Sequence, residues 1–187
     1  MSAGQIHLME EVLPADLQQA VWQACNAKRW YFGNFSVATS EPGFWKMDLE
    51  GIGAIDRAWA HLKPRCEALA GHGLQVVRQY ANGHTYGLGG QIHTDDQRAH
   101  FYTLLFYPML TWDPGWGGET VFHQPNGDIL ASLLPRPNRA AFFDSRIPHA
   151  GRASNRSFGG LRVTVAFKLA PPDPAPVRHQ TDPSGNG

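Results

Sequence analysis

The chain contains nine histidines, and one of them stands in a tripeptide able to do chemistry, His93-Thr94-Asp95. The run Gln91 to Thr94 reads as a short strand, and residues i and i+2 of a strand project from one face, so an imidazole and a carboxylate are expected to converge. Two such ligands hold a transition metal weakly, and a third has to come from a neighbouring strand distant in sequence. His149 is the leading candidate: it follows the run Arg139 to Phe143 through Asp144-Ser145-Arg146-Ile147-Pro148, and Pro148 restricts the backbone just ahead of it. Two imidazoles and one carboxylate on one side of a metal suit Fe(II) and leave positions open for substrate and oxygen. His100, His123 and His84 are alternatives for the third ligand. Asp96 is an alternative carboxylate, although on an alternating strand it faces away from His93. A His-x-Asp tripeptide also arises by chance, and His93 is then a hydrogen-bonded histidine at a strand end.

Other chemistries lack their motifs. The glycines at 87, 89 and 90 do not make GxGxxG, no GxxxxGK[ST] is present, and no GxSxG sets a serine on an elbow. Among 187 residues, 16 Lys+Arg balance 16 Asp+Glu, so no global field attracts phosphate backbones or anionic lipid, and neither a nucleic acid nor a membrane is an expected partner. The expected partner is a small-molecule or peptide substrate; no interface pattern reports the oligomeric state. No apolar run approaches the roughly 20 residues of a membrane-spanning helix, and the N-terminus has neither the basic nor the apolar region of an export signal. Cys25 and Cys66 are the only cysteines and are expected to sit reduced on helices, which points to a cytoplasmic location. Without export, the tripeptides Asn34-Phe35-Ser36 and Asn155-Arg156-Ser157 carry no glycosylation meaning.

The elements that must position these residues fall into two halves. Leu13, Leu17, Val21 and Ala24 stripe one face of a helix from Pro14 to about Asn26. Ile52, Ile55, Trp59, Leu62, Cys66 and Leu69 stripe a second, with Pro64 expected to kink it or start a new helix, and Gly71 and Gly73 to stop it. Seven short runs rich in β-branched and aromatic residues follow: Leu74 to Tyr80, Gln91 to Thr94, Phe101 to Tyr107, Glu119 to His123, Asp128 to Leu134, Arg139 to Phe143 and Leu161 to Leu169. Helices first and strands after predict a mainly β fold, with flanking helices packed outside an antiparallel barrel or sandwich. The expected organisation is one domain over 1–170, with a helical N-terminal flank at 1–73 and a barrel core at 74–170. The proline-rich residues 171–187 are expected to be a disordered tail. The glycine-rich segment 83–90 reads as a lid or a simple connector, and Trp112 to Gly118 as a turn whose tryptophans pack or line the mouth.

Taken together, Tyr80-Ala81-Asn82-Gly83, His93-Thr94-Asp95, Tyr102 to Tyr107, Trp116-Gly117-Gly118-Glu119-Thr120, Phe143-Asp144 leading to Pro148-His149, and Arg162 to Phe167 occur in a specific order. On these pieces, over about residues 74 to 169, the chain resembles the Fe(II)- and 2-oxoglutarate-dependent oxygenases, in particular their prolyl-hydroxylase-like branch. The resemblance implies a double-stranded β-helix, a jelly-roll or cupin-like barrel, whose mouth holds Fe(II) on His93, Asp95 and His149. It implies 2-oxoglutarate and O2 as cosubstrates, and hydroxylation of an unactivated C–H with release of succinate and CO2. Asp95 is the carboxylate that halogenating relatives lack.

The far carboxylate of 2-oxoglutarate then needs a cation, because burying it unpaired costs several kcal/mol. Arg162 opens an apolar strand and is the favoured partner, with Thr164 on the same face adding a hydroxyl. In the family this arginine follows the last histidine by fewer residues than the thirteen here, so Arg152 and Arg156 compete, and they, like Arg146, otherwise read as loop charge. Tyr80 and Tyr107 match positions where relatives set phenols against the cosubstrate. A cupin-like metal dioxygenase that does not use 2-oxoglutarate is the second reading, with Arg162 as the discriminating residue; a non-catalytic ligand-binding barrel is the third. The expected substrate is amino-acid-like, a peptide or another small molecule. The first 73 residues are long enough to cap the mouth, where Trp45, Lys46 and Arg98 are within reach.

Overall fold

The computed structural model describes residues 5–27, 29–34 and 43–172. Residues 173–187 of the expected tail, with His179, and the Phe35 and Ser36 of the first tripeptide lie outside the described residues.

Two helices pack on one side of the main sheet. α1 spans Ala15–Cys25, with Pro14 at its N-cap, and buries Val21 and Cys25. α2 spans Gly53–Ala70, buries Ile55, Ala58, Leu62 and Cys66, and ends on Gly71 in the left-handed conformation, φ 79°. Pro64 lies inside α2 and starts no new helix. It sits on the exposed face, where the carbonyl that loses its donor can be met by water.

Ten strands follow the order β1 (Ile6–Met9), β2 (Tyr31–Asn34), β3 (Phe44–Asp48), β4 (Gln75–His84), β5 (Tyr102–Tyr107), β6 (Thr120–His123), β7 (Ile129–Leu133), β8 (Arg139–Asp144), β9 (His149–Gly151) and β10 (Arg162–Ala170). They form a seven-stranded sheet, β1-β8-β5-β10-β4-β3-β2, and a three-stranded sheet, β7-β6-β9. Every named strand pair is antiparallel. The segment expected to be a helical flank therefore also supplies three strands. β3 extends the sheet beyond β4, and β1 closes the other edge against β8. β4 continues four residues past its expected end at Tyr80. The expected strand Gln91 to Thr94 is absent: His93 makes an isolated bridge to His149, and its neighbours are loop.

The central strand β10 shows how the sheet is filled. Val163, Val165, Phe167 and Leu169 join the large core that contains the helix residues Val21, Cys25, Ile55, Leu62 and Cys66. The alternate residues Arg162, Thr164, Ala166 and Lys168 line the cavity between the sheets. A smaller core of Phe122, Phe143 and Ile147, joined by Leu105 and Tyr80, closes the space under the second sheet. Both cysteines are free and buried, and burial pushes each thiol up to about 12. Native protein is expected to leave both unmodified by a thiol reagent at neutral pH and to expose both in denaturant; fast modification in native buffer would contradict this packing.

Candidate active site

His149 opens β9, beside Phe122 of β6, and His93 stands directly across from it. The two backbones exchange a pair of hydrogen bonds, His93 N to His149 O at 3.0 Å and His149 N to His93 O at 2.9 Å, which sets the rings side by side, tilted by 47° with centroids 4.6 Å apart. Each ring has its Nδ1 on the carbonyl two residues before it, His93 on Gln91 and His149 on Ile147, both at 2.9 Å. With Nδ1 donating, Nε2 is left as the free lone pair of a metal-binding imidazole. Burial outweighs the pull of Asp95, lowers His149 to about 4 and keeps it neutral.

Asp95 arrives by a loop, its backbone N donating to Ser145 O at 2.9 Å. Its carboxylate lies 3.4 Å from each Nε2, from Oδ1 to His93 and from Oδ2 to His149. Oδ2 also accepts from Thr103 Oγ1 at 2.6 Å and pairs with Lys168 Nζ. Burial works to raise Asp95, but Lys168, His149 and His93 outweigh it and hold the carboxyl well below the usual range. The ligand atoms of His93, Asp95 and His149 lie within 4.8 Å of one another. Ligands held by one ion at about 2.1 Å sit about 3 to 3.4 Å apart, so this donor set fits a metal with little movement. Two nitrogens and one oxygen on one side suit Fe(II).

A second charged group lies deeper. Arg162 is 1% exposed and has no carboxylate in ion-pair range among the described residues. Its Nε donates to Gly118 O at 2.6 Å, Nη1 to Thr164 Oγ1 at 2.6 Å and to His84 Nδ1 at 3.2 Å, and Nη2 to Thr120 Oγ1 at 2.9 Å. Tyr107, also fully buried, donates its hydroxyl to the same Thr120 oxygen at 2.8 Å. The two threonine oxygens thus act as acceptors toward Arg162, and their own hydrogens stay free to donate. His84 accepts at Nδ1, so Nε2 carries the hydrogen, and that atom is buried without a partner. Burial and the nearby Arg162 and His93 hold His84 well below 6.5, as a neutral ring. A buried cation ringed by unused donors is a receptor for an anion with several lone pairs. The fit to a cosubstrate carboxylate is therefore good.

The backbone makes room for this cluster at two glycines. Gly118 has φ 74°, and a Cβ there would meet Trp112 at 3.0 Å. A Cβ on Gly151 would come within 2.7 Å of His84 Cε1.

The remaining expectations sort cleanly. Arg152 and Arg156 are exposed, and Arg146 chelates Asp144 through Nε at 2.9 Å and Nη2 at 2.6 Å, so none of the three is the buried cation. The extra residues between His149 and Arg162 form a loop whose Phe158 packs on Trp112 and Trp116, with centroids 4.8 and 4.7 Å apart; these tryptophans pack rather than line the mouth. Asp96 points away and chelates Arg98. His123 holds Gly127 O, and His100 meets His72 edge to face, both apart from the ligand group. In the segment expected to be a lid or connector, Gly83 and His84 belong to β4, and Gly90 N donates to Gly151 O at 2.8 Å. Tyr80 lines the cavity next to Lys168. Lys168 is the residue sequence reasoning missed. The signal was the period-two stripe Arg162, Thr164, Ala166, Lys168 along one face of β10.

Residues 77–167, which hold all of these site residues except Lys168, match the family model of the 2OG-Fe(II) oxygenase superfamily. The match spans just under half of the chain, and members of that superfamily use Fe(II), 2-oxoglutarate and O2. Among solved structures it is similar to a prolyl-4-hydroxylase of Pseudomonas putida, with TM-score 0.70 and 17% identity over 90% of this chain and 94% of that one. It is also similar to AviO1 from Streptomyces viridochromogenes Tue57, with TM-score 0.69 and 12% identity over 93% of each chain. A prolyl hydroxylase of Trichoplax adhaerens, solved with a hypoxia inducible factor peptide, gives TM-score 0.64 and 16% identity over 90% of this chain and 84% of that one. At these identities the likeness establishes the fold, the double-stranded β-helix. No curated protein sequence matches the chain. No helix among the described residues is long and apolar enough to cross a membrane.

Replacing His93 or Asp95 by Ala is expected to abolish tight Fe(II) binding measured anaerobically by calorimetry, whereas His123→Ala and Asp96→Ala keep it within about threefold. Metal binding retained by Asp95→Ala would remove the candidate centre.

Proposed function

We propose that this oxygenase hydroxylates an unactivated C–H bond of an amino-acid-like, peptide or other small-molecule substrate, releasing succinate and CO2. The observation that carries the reading is the pairing of two preformed sites in one cavity. A two-histidine, one-carboxylate ligand group lies at one end, and a buried guanidinium without a carboxylate lies at the other.

In this reading His93, Asp95 and His149 hold Fe(II). Bound there, the iron supplies open coordination positions and the redox chemistry that couples 2-oxoglutarate decarboxylation to substrate oxidation. Arg162 receives the far carboxylate of 2-oxoglutarate, and Thr120, Thr164 and His84 supply further hydrogens. Tyr107 acts through Thr120, orienting that hydroxyl rather than donating past it. Lys168 and Thr103 hold one oxygen of Asp95 and leave the other to the metal. The carboxylate ligand supports hydroxylation over halogenation, because it occupies the position a halide would need. A metal dioxygenase that works without 2-oxoglutarate has no use for the buried guanidinium.

Anaerobic protein with Fe(II) is expected to develop a visible charge-transfer band when 2-oxoglutarate is added, and to lose most of it in Arg162→Ala at the same cosubstrate concentration. A flat spectrum with iron demonstrably bound would favour the dioxygenase that does not use 2-oxoglutarate.

A further inference from the structure

Outside the ligand group the cavity widens to about 310 Å³, with Arg78 and Lys168 in its wall beside His93 and Asp95. Three cations gather on one ring there: from the Tyr80 centroid, Arg78 Cζ lies at 4.6 Å, Lys46 Nζ at 5.3 Å and Lys168 Nζ at 5.7 Å. Two of them have an acid. Lys46, itself buried, pairs with Asp48 at 2.5 Å, and Lys168 pairs with Asp95. The Arg78 side chain has neither an ion pair nor a hydrogen bond among the described residues, meets Asp48 only at longer range, and rests on the phenol ring. The other acid in this wall, Asp96, is already chelated by Arg98 at 3.0 and 2.8 Å.

This arrangement works against the fold. Arg78 stands directly opposite Lys168 in the register of β4 with β10, and like charges directly across an antiparallel pair are destabilising. A local conflict of this kind beside a metal centre marks a position kept for a ligand. A guanidinium with no carboxylate of its own selects an anion. A guanidinium laid on an aromatic ring has its plane fixed and its outer edge open, which suits the two coplanar oxygens of a carboxylate.

We infer that Arg78 binds a carboxylate of the substrate, so that the oxygenase acts on a small carboxylic acid such as a free amino acid, or on the C-terminal residue of a peptide. An interior residue of a polypeptide offers no such group unless it is Asp or Glu. The inference rests on the oxygenase reading above and narrows its substrate class.

The test uses the full chain with Fe(II) and 2-oxoglutarate and measures succinate release. The probes are the common amino acids as free acids, their C-terminal amides, and dipeptides ending in the same residues. At least one acid is expected to stimulate release, with a half-saturating concentration at least tenfold below that of its amide. Arg78→Gln, at an exposed position, is expected to raise that concentration tenfold or more for the acid and to leave the amide within twofold. Stimulation by the free acid alone assigns the carboxylate to a free amino acid; equal stimulation by the dipeptide assigns it to a chain terminus. Amides as effective as acids, no stimulating acid in the panel, or an acid response unchanged in Arg78→Gln would overturn the inference. The charge-transfer band with 2-oxoglutarate is read on the same samples: present, it confines any failure to Arg78; absent, it removes the oxygenase reading.

Discussion

A guanidinium cannot shed its charge at any pH a protein experiences, so burying one commits the surrounding fold to answering it. Arg162 is answered by a carbonyl, two hydroxyls and an imidazole, all neutral. This arrangement holds the side chain rigidly and leaves its charge in place. Burial accordingly lowers Arg162 from its usual value. In the proposed reading, the stabilisation an ion would bring is kept for the cosubstrate carboxylate. A large part of the barrel's interior follows from that constraint: Gly118 with its positive φ turns a carbonyl toward Nε, Gly151 lacks a side chain so that His84 can stand against Nη1, and Tyr107 is buried to aim Thr120.

One strand connects this constraint to the candidate metal ligands. On the cavity face of β10, Arg162 stands at the deep end and Lys168 at the outer end. Between them lie Thr164 and Ala166, and the small Ala166 leaves space along the line joining the two charged groups. The opposite face of the same strand is Val163, Val165, Phe167 and Leu169, packed on the helices. Each such side chain contributes about 1.5–3 kcal/mol of burial. That apolar face anchors the strand, and the polar face can therefore carry two charges that cost stability. Register pairs the stripe with His84, Asn82, Tyr80 and Arg78 of β4, so adjacent strands deliver a graded wall of polar groups from the floor of the cavity to its mouth.

The ligand group and Arg162 were legible in the sequence because residue type and order suffice to suggest them. Their geometry was not. His93 and Asp95 converge because a two-bond backbone bridge to His149 and a clip onto Ser145 hold a loop, whereas strand alternation was the expected cause. β1, β2, β3 and β9 escaped notice because each is three to five residues long, and β1, β3 and β9 are held in the sheets by partners far away in the chain. Lys168 escaped because a lysine in an apolar run reads as a solvent-facing residue until its alternation with Arg162 is counted. The thirteen-residue spacing that made Arg152 and Arg156 competitors has a packing explanation in Phe158, which ties the extra loop to Trp112 and Trp116.

The account stands or falls on what Arg162 binds. The direct measurement is calorimetry on anaerobic, metal-loaded protein with 2-oxoglutarate and with 2-oxopentanoate, which has the same chelating end and no far carboxylate. Removing one partner of a buried charge pair costs about 3–5 kcal/mol, so the wild type should prefer 2-oxoglutarate by about a hundredfold or more, and Arg162→Leu should erase most of that preference while still binding metal. Equal affinity of the wild type for the two ligands, or a preference that survives in Arg162→Leu, would contradict it.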